Sequence, residues 1–171
     1  MARAGAGRSH MLFLRSHLLA AAKLLRTPLR QFSVALVDDR EMQRVHGEFL
    51  NDPTTTDVVT FPMETNIKGE VIEGEVVICV PEAIRCARQR GHRTRNELLL
   101  YAIHGMLHLS GYDDTSKREF ERMHAKEDEI LSELGLGKVF ATASPGQSSA
   151  QSPGKSPAKR GSSTRRQSGG R

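Results

Sequence analysis

One stretch of the sequence, residues 98–114, constrains the fold more than any other. It begins with an apolar run and continues with His104 and His108, four residues apart, before Gly111 interrupts it. Residues at this spacing lie above one another on the same face of a helix. A helix that is apolar on all sides is buried, and buried polar groups need partners. The stretch therefore predicts a buried helix with paired histidines at its end.

A metal ion is the partner that best explains such a pair, although two ordinary structural histidines are the alternative. Zinc peptidases hold their metal with His-Glu-x-x-His helices, but Gly105 stands where those enzymes carry the glutamate that serves as general base. Two carboxylates follow the helix, and Asp114 can turn back toward the histidines. Two His and one carboxylate with an open fourth position form a known catalytic zinc arrangement. We therefore predict that His104, His108 and Asp114 hold one Zn²⁺ per chain, with Asp114 as a cap of the next helix as the alternative.

The same stretch resembles the signature of a known family. His104-Gly-Met-Leu-His108-Leu-Ser-Gly-Tyr-Asp-Asp114 is similar to the His-Gly-x-Leu-His-Leu-x-Gly-Tyr-Asp-His motif of the YbeY family, the bacterial endoribonucleases of ribosomal RNA maturation. Residues 56–62 resemble the family's Thr-Asp-Val-Leu-Ser-Phe-Pro strand, and residues 74–78 resemble its Gly-Asp/Glu-Ile strand. The resemblance covers roughly residues 33–135.

This resemblance implies a zinc-dependent endoribonuclease of the cytoplasm that acts on single-strand-type RNA. It implies a role in late small-subunit maturation at the 16S rRNA 3′ end and in ribosome quality control, with ribosomal RNA and the small subunit as partners. Two positions depart from the family. Asp114 replaces the histidine that is the third zinc ligand, and Leu50, after Phe49, replaces an arginine that often follows an aromatic residue there.

Two other functions stay open, because the residues alone support only a zinc hydrolase. They name no general base, and the catalytic group is presumed to be a metal-bound water. A zinc peptidase or amidohydrolase would also use a helix-borne His pair. A non-catalytic ribosome-assembly factor would carry a structural zinc, but structural sites are normally closed by four protein ligands. The sequence offers three obvious ligands. No dinucleotide cofactor is expected.

Charge divides the chain into three parts. Residues 1–32 hold six basic and no acidic residues, and residues 141–171 also hold six and none, which leaves a net charge of −7 for residues 33–140. We expect a basic N-terminal segment with a first helix at about 12–26, an endoribonuclease domain at 33–140, and a disordered tail rich in Ser, Gly and Pro. The basic ends would attract RNA phosphates, and a solvated tail with no partner is the alternative.

Apolar patterning predicts an α+β fold, in which a small mixed β-sheet packs with helices. Thr94 and Glu97 read as a capping box that starts the histidine helix, and Pro62 is expected to end the second strand. Residues 63–73 are expected to form a polar connection. Strands are predicted at 32–37, 58–61 and 76–80, and further helices at 40–49, 81–89 and 115–134.

Several remaining residues have two interpretations. Arg85, Arg88, Arg90, Arg93 and Arg95 either track an RNA backbone or form a solvated face. Asp57 either supports the site by hydrogen bonding or caps a loop. His124 is expected at the edge of the core or at the surface, and His92 in solvent. Cys79 and Cys86 are predicted to be buried, reduced thiols. No apolar run approaches the ~20 residues that a transmembrane helix needs.

Overall fold

The computed structural model describes residues 4–137, with side chains from residue 9 onward, and in that range it contains five helices and three strands. The predicted α+β class is confirmed. The proposed tail at 141–171 lies outside the described residues. In chain order the elements are α1 (Ala4–Leu25), β1 (Gln31–Val37), α2 (Asp39–Leu50), β2 (Val58–Thr65), β3 (Val71–Cys79), α3 (Val80–Arg90), α4 (Thr94–Leu109) and α5 (Lys117–Glu133).

The sheet has the order β1-β3-β2, so β3 is its central strand. β1 runs parallel to β3, and β2 runs antiparallel to it. Side chains alternate between the two faces of a strand, and both faces of β3 are covered. Val76 and Ile78 belong to the main core with α4, whereas Val77 and Cys79 belong to a second cluster with Met42 of α2. This double burial explains why β3 ends as a continuous apolar run.

Two predictions about β2 and the segment after it are wrong. β2 continues past Pro62 to Thr65, and most of the expected polar connection belongs to β2 or β3. As an edge strand, β2 tolerates a proline that lacks an N–H, and its register shifts directly after that residue. A turn at Asn66 joins the two strands, with its N–H donating to the carbonyl of Glu70 at 2.9 Å. The outer part of this hairpin is mostly exposed, including Met63 and Ile67, so it lacks the alternation of buried and exposed side chains that predicts strands.

α4 forms the centre of the core, as the sequence predicts. Twelve of its residues are buried, and it packs against α1, α3 and both β2 and β3. α1 is longer than the predicted 12–26 helix at its N-terminal end, and covers α4 through Leu14, Leu18 and Ala21. The position of α4 between a helical layer and the sheet fixes both ends of this helix. It thereby fixes the place of the two histidines.

The capping box predicted from Thr94 and Glu97 is wrong. Glu97 is fully buried, and its carboxylate accepts hydrogen bonds from Arg90 and pairs with His92 instead of turning back to the helix start. His92 is therefore held by the protein, contrary to the prediction that it is solvated. A buried carboxylate needs such partners, because an unpaired charge in the core costs several kcal/mol. These two contacts join the end of α3 to the start of α4.

The capping motif instead occurs at the start of α5. The Ser116 side chain accepts the N–H of Glu119, and the Glu119 carboxylate accepts from Ser116 in return. Asp114 lies two residues before this N-cap and takes no part in it. The structure thus removes the alternative in which Asp114 is the cap of α5.

Both cysteines are unpaired and buried, as predicted. Burial raises the pKa of the Cys79 thiol to about 11 and also raises the pKa of Cys86. Because the thiolate is the reactive form, we expect iodoacetamide near neutral pH to leave both residues unmodified in the folded protein and to label both in urea. Mass spectrometry after timed labelling measures this. Rapid labelling of the folded protein would contradict the burial of these thiols.

Within residues 4–137, none of the helices combines the length and the apolar character that crossing a membrane requires.

Candidate metal centre

His104 and His108 face each other at the C-terminal end of α4. Their Nε2 atoms are 3.1 Å apart, and the rings meet edge to face with centroids 4.7 Å apart. Only 3% of the His104 side chain and 7% of the His108 side chain are exposed. The helical spacing therefore brings two imidazole nitrogens to one nearly buried point.

The loop after α4 brings Asp114 to the same point. Gly111 reverses the chain with a φ of 88°, in the left-handed region that favours glycine. Asp114 Oδ2 then lies 3.8 Å from Nε2 of His104 and 4.0 Å from Nε2 of His108. Asp113 points elsewhere, since its Oδ1 accepts the N–H of Asp114. Zinc ligands lie ~2.0–2.2 Å from the metal, so two tetrahedral ligands are about 3.4 Å apart, close to the observed separations.

Hydrogen bonds around the two rings also fit a bound cation. Nδ1 of His104 lies 2.5 Å from Oε1 of Glu127, and Nδ1 of His108 lies 3.2 Å from the carbonyl oxygen of Tyr112. A carboxylate and a carbonyl only accept, so we assign the proton of each ring to Nδ1. Two neutral rings then direct Nε2 lone pairs at each other, and a proton or a metal ion must lie between them. The ligand role of the three residues stays a prediction, and this donor set fits it.

Charge around the histidines favours a cation at the same point. Burial lowers the pKa of His104, but the charge and hydrogen bond of Glu127 and two further carboxylates outweigh it, so this pKa is raised. The pKa of His108 is lowered by burial and by the charge of His104. Burial opposes the ionisation of Glu127 as well, yet its histidine partners hold its pKa below the usual value. A single positive charge between the two rings is therefore stabilised, whereas protonation of both rings at once is not.

Glu127 is the residue of this site that sequence analysis missed. Its two oxygens accept from two rings, with Oε2 lying 2.5 Å from Nδ1 of His124. His124 is buried and stacks on His104 with a centroid distance of 5.9 Å, so of the two expected places the edge of the core fits and the surface does not. His104, His124 and Glu127 form a second group close enough to hold a metal, but the two short hydrogen bonds explain that closeness. A carboxylate four residues after Met123, on the apolar face of α5, was the signal that could have revealed it.

Asp57 caps the start of β2. Its Oδ1 accepts the N–H of Val58 at 2.9 Å and the hydroxyl of Thr56 at 3.2 Å. Burial raises the pKa of this carboxyl group, and these hydrogen bonds oppose the shift. Of the two interpretations of Asp57, the structure directly supports the capping role.

Gly105 lies where α4 touches the sheet. A Cβ atom at this position would be 2.6 Å from Cγ2 of Val76 and 3.1 Å from Oγ1 of Thr60. Both neighbours are β-branched and have few rotamers available. A glutamate here would therefore have to push α4 away from the sheet. The helix cannot carry the general base of a zinc peptidase at this position, which disfavours that alternative.

We expect Gly105→Ala to lower the free energy of unfolding by about 1–2 kcal/mol. Overpacking of ~1–3 kcal/mol outweighs the gain of up to ~1 kcal/mol in helix propensity. Gly47→Ala on α2 is a matched control, because its Cβ would meet nothing closer than 3.7 Å. Urea unfolding of both variants measures the difference. Equal stability of the two variants would show that α4 does not pack as tightly on the sheet as described.

The basic cluster is only partly available to a substrate. Arg85 forms ion pairs with two carboxylates, Arg90 pairs with a buried one, and Arg95 lies 4.8 Å from the centre of an aromatic ring. Arg88 and Arg93 are exposed. Of the five arginines that could track an RNA backbone, the structure therefore leaves two available for this role.

An open cleft of about 420 Å³ lies beside His108. It runs between the β2–β3 hairpin and the loop after α4, and Thr60, Pro62, Glu70 and Ser110 are among its walls. Of the three candidate ligands, His108 lines this cleft, so a substrate bound there would contact His108. The fold and the site together define a class, namely a small α+β domain with a candidate metal centre of two histidines and one carboxylate at the end of a buried helix.

Comparison with known proteins narrows this class. A family model described as Endoribonuclease YbeY matches residues 10–135, so the similarity begins in α1, earlier than the signature motifs indicate. A protein named Endoribonuclease YbeY from Paenarthrobacter aurescens is 37% identical over 118 residues, which cover 65% of this chain and 74% of that protein. Another from Thermobifida fusca is 39% identical over 111 residues, covering 61% and 72%. The chain belongs to the YbeY endoribonuclease family.

A solved structure agrees with this assignment. The solution structure of TM1509 from Thermotoga maritima matches with a TM-score of 0.55 and 28% sequence identity, covering 82% of this chain and 93% of that one. The arrangement of helices around a small sheet is therefore shared with an experimentally determined fold.

Proposed function

We propose that this protein is a zinc-dependent endoribonuclease that processes ribosomal RNA. Its substrate would be single-strand-type RNA at the 3′ end of 16S rRNA, in late small-subunit maturation and in ribosome quality control. The observation that carries the proposal is the convergence of His104, His108 and Asp114 beside an open cleft. Membership of the YbeY family supports RNA as the substrate.

His104, His108 and Asp114 would bind zinc, and neighbouring groups would orient the two histidine rings. A bound zinc ion stabilises charge that develops on phosphate and lowers the pKa of water, which is the chemistry that phosphodiester hydrolysis needs. Glu127 and the Tyr112 carbonyl keep the Nδ1 protons in place, so that both Nε2 atoms stay available. Asp114 adds a negative charge where the family has a neutral histidine. The set of donors thus carries one negative charge more than three histidines would.

The surroundings of the candidate metal centre favour an RNA hydrolase over a structural zinc site and over a zinc peptidase. Three converging ligands leave a fourth position open, whereas a structural zinc is normally closed by four. The cleft reaches His108, one of the three proposed ligands, and tight packing at Gly105 disfavours a peptidase. Exposed Arg88 and Arg93 and the basic ends of the chain would draw phosphate without reading sequence. A cytoplasmic location, where thiols stay reduced, is part of the proposal.

Cleavage assays with matched substrates test this function. The full chain is incubated with an RNA that contains the 3′ end of 16S rRNA, with DNA of the same sequence, and with a peptide library. We expect cleavage of the RNA alone, loss of cleavage after dialysis against a chelator, and recovery on addition of zinc. RNA cleavage that is unchanged by the chelator would contradict the metal, and peptide cleavage without RNA cleavage would contradict the substrate class.

A further inference from the structure

His124 lies beside the candidate metal centre without being one of its proposed ligands. It belongs to α5 and precedes Glu127 by three residues, a spacing that places both side chains on one face of the helix. Only 6% of the His124 side chain and 1% of the Glu127 side chain are exposed. The protein therefore buries a second histidine against the same carboxylate that contacts His104.

Two rings hold the His124 imidazole in a defined orientation. The ring of Phe120, one turn earlier on α5, meets it edge to face with centroids 4.0 Å apart, and the His104 ring stacks on it at 5.9 Å. In this orientation Nδ1 of His124 lies 2.5 Å from Oε2 of Glu127. A carboxylate oxygen only accepts, so Nδ1 of His124 is the donor. Packing thus directs one N–H group of a buried ring at the carboxylate.

The Glu127 carboxylate is bonded through both of its oxygens, and each oxygen faces a different ring. Oε1 accepts from Nδ1 of His104 at 2.5 Å, and Oε2 is the oxygen that His124 holds. Burying a carboxylate oxygen without a donor is costly, and a carboxylate with one donor is free to turn about its last side-chain bond. With a donor on each oxygen, the plane of the carboxylate is fixed.

We propose that His124 is a positioning residue, which holds the Glu127 carboxylate in place and through it fixes the ring of His104. The orientation of this ring keeps its Nε2 atom opposite Nε2 of His108. Groups that orient metal ligands in this way affect metal affinity without touching the ion. The expected effect on zinc affinity rests on the proposed function, whereas the orientation of the His104 ring does not.

Two substitutions separate the hydrogen bond of His124 from its packing. His124→Phe keeps an aromatic ring between Phe120 and His104 but has no donor, and His124→Asn loses the ring but keeps an N–H group near the position of Nδ1. His46→Phe is the matched control, because His46 is a buried histidine of α2 whose Nδ1 lies 2.8 Å from the carbonyl oxygen of Thr54.

Three quantities are measured on each full-length protein. They are the zinc dissociation constant by competition with a chelating dye, the free energy of unfolding in urea, and the exchange rate of the His104 Nδ1–H proton by NMR of the zinc-free protein. Both His124 variants are expected to lower the free energy of unfolding, one through an unpaired carboxylate oxygen and the other through lost packing.

Only His124→Phe is expected to weaken zinc binding, by about threefold to tenfold, which is the size of effect that one hydrogen bond has. The same variant should speed exchange of the His104 Nδ1–H proton. His124→Asn and His46→Phe should leave the zinc affinity and this exchange rate as they are in the wild type.

Equal losses of zinc affinity in His124→Phe and His124→Asn would show that His124 is only structural, and would overturn the proposal. Wild-type zinc affinity together with an unchanged His104 signal in His124→Phe would overturn it as well. A wild-type protein that binds no zinc would instead contradict the proposed function. In that case the His104 signal of the zinc-free proteins decides by itself whether His124 fixes this ring.

Discussion

Replacing His108 with alanine is expected to reduce RNA cleavage by about a thousandfold. The variant loses one of two imidazole ligands, and metal-ion stabilisation of phosphate charge is worth several kcal/mol, which corresponds to three or so powers of ten in rate. The fold should survive, because His108 lies at the last turn of α4 and its ring bonds only a loop carbonyl and the other histidine. Cleavage rates at saturating RNA measure the effect.

His17→Ala is the matched control for this variant. His17 is a half-buried histidine of α1 whose ring bonds a backbone carbonyl within its own helix. Its removal should leave both RNA cleavage and zinc content unchanged. Activity of His108→Ala within a few-fold of the wild type, with the fold intact, would show that the paired histidines are structural.

The second large effect is expected for Glu127→Gln, which should weaken zinc binding by about tenfold to a hundredfold. A carboxylate accepts from both Nδ1–H groups that face it, but an amide accepts one and donates one. If the amide donates to His104, the proton of that ring moves to Nε2, the atom proposed to bind zinc. Competition with a chelating dye measures the zinc dissociation constant.

A second buried glutamate of the core gives the control for Glu127. Glu97 lies at the opposite end of α4, is fully buried, and also pairs with a histidine. Glu97→Gln should lower the free energy of unfolding while leaving zinc affinity unchanged. If both variants bind zinc as the wild type does, Glu127 does not position His104. If both weaken zinc binding equally, the loss reflects general destabilisation.

The sequence predicted the class of fold and most of its elements because their signals are local. The apolar run before His104 has no polar face, so it had to be a buried helix. The outer half of the β2–β3 hairpin escaped prediction because it is held by backbone pairing and an Asn66 turn while its side chains face solvent. A burial pattern reveals only the buried part of such a strand: in β2, residues 58–60 are buried and residues 62–65 are exposed.

In the candidate site, too, residues close together in the sequence were predicted and residues brought in from other elements were not. His104, His108 and Asp114 were named together because they lie within eleven residues of one another, and the structure places their ligand atoms within 4.8 Å. Glu127 reaches His104 from another helix, and no local pattern encodes that contact. The capping box predicted at Glu97 is wrong for a related reason. The spacing from Thr94 fits a capping box, but Arg90 and His92 compete more strongly for the Glu97 carboxylate.

Zinc content per chain, determined by elemental mass spectrometry for the wild type and for Asp114→Ala purified identically, tests the metal centre itself. We expect about one zinc ion per wild-type chain and clearly less in the variant, since three ligands would fall to two. Equal zinc in both proteins would show that Asp114 is not a ligand. Absence of zinc from both, even after incubation with zinc, would contradict the metal centre itself.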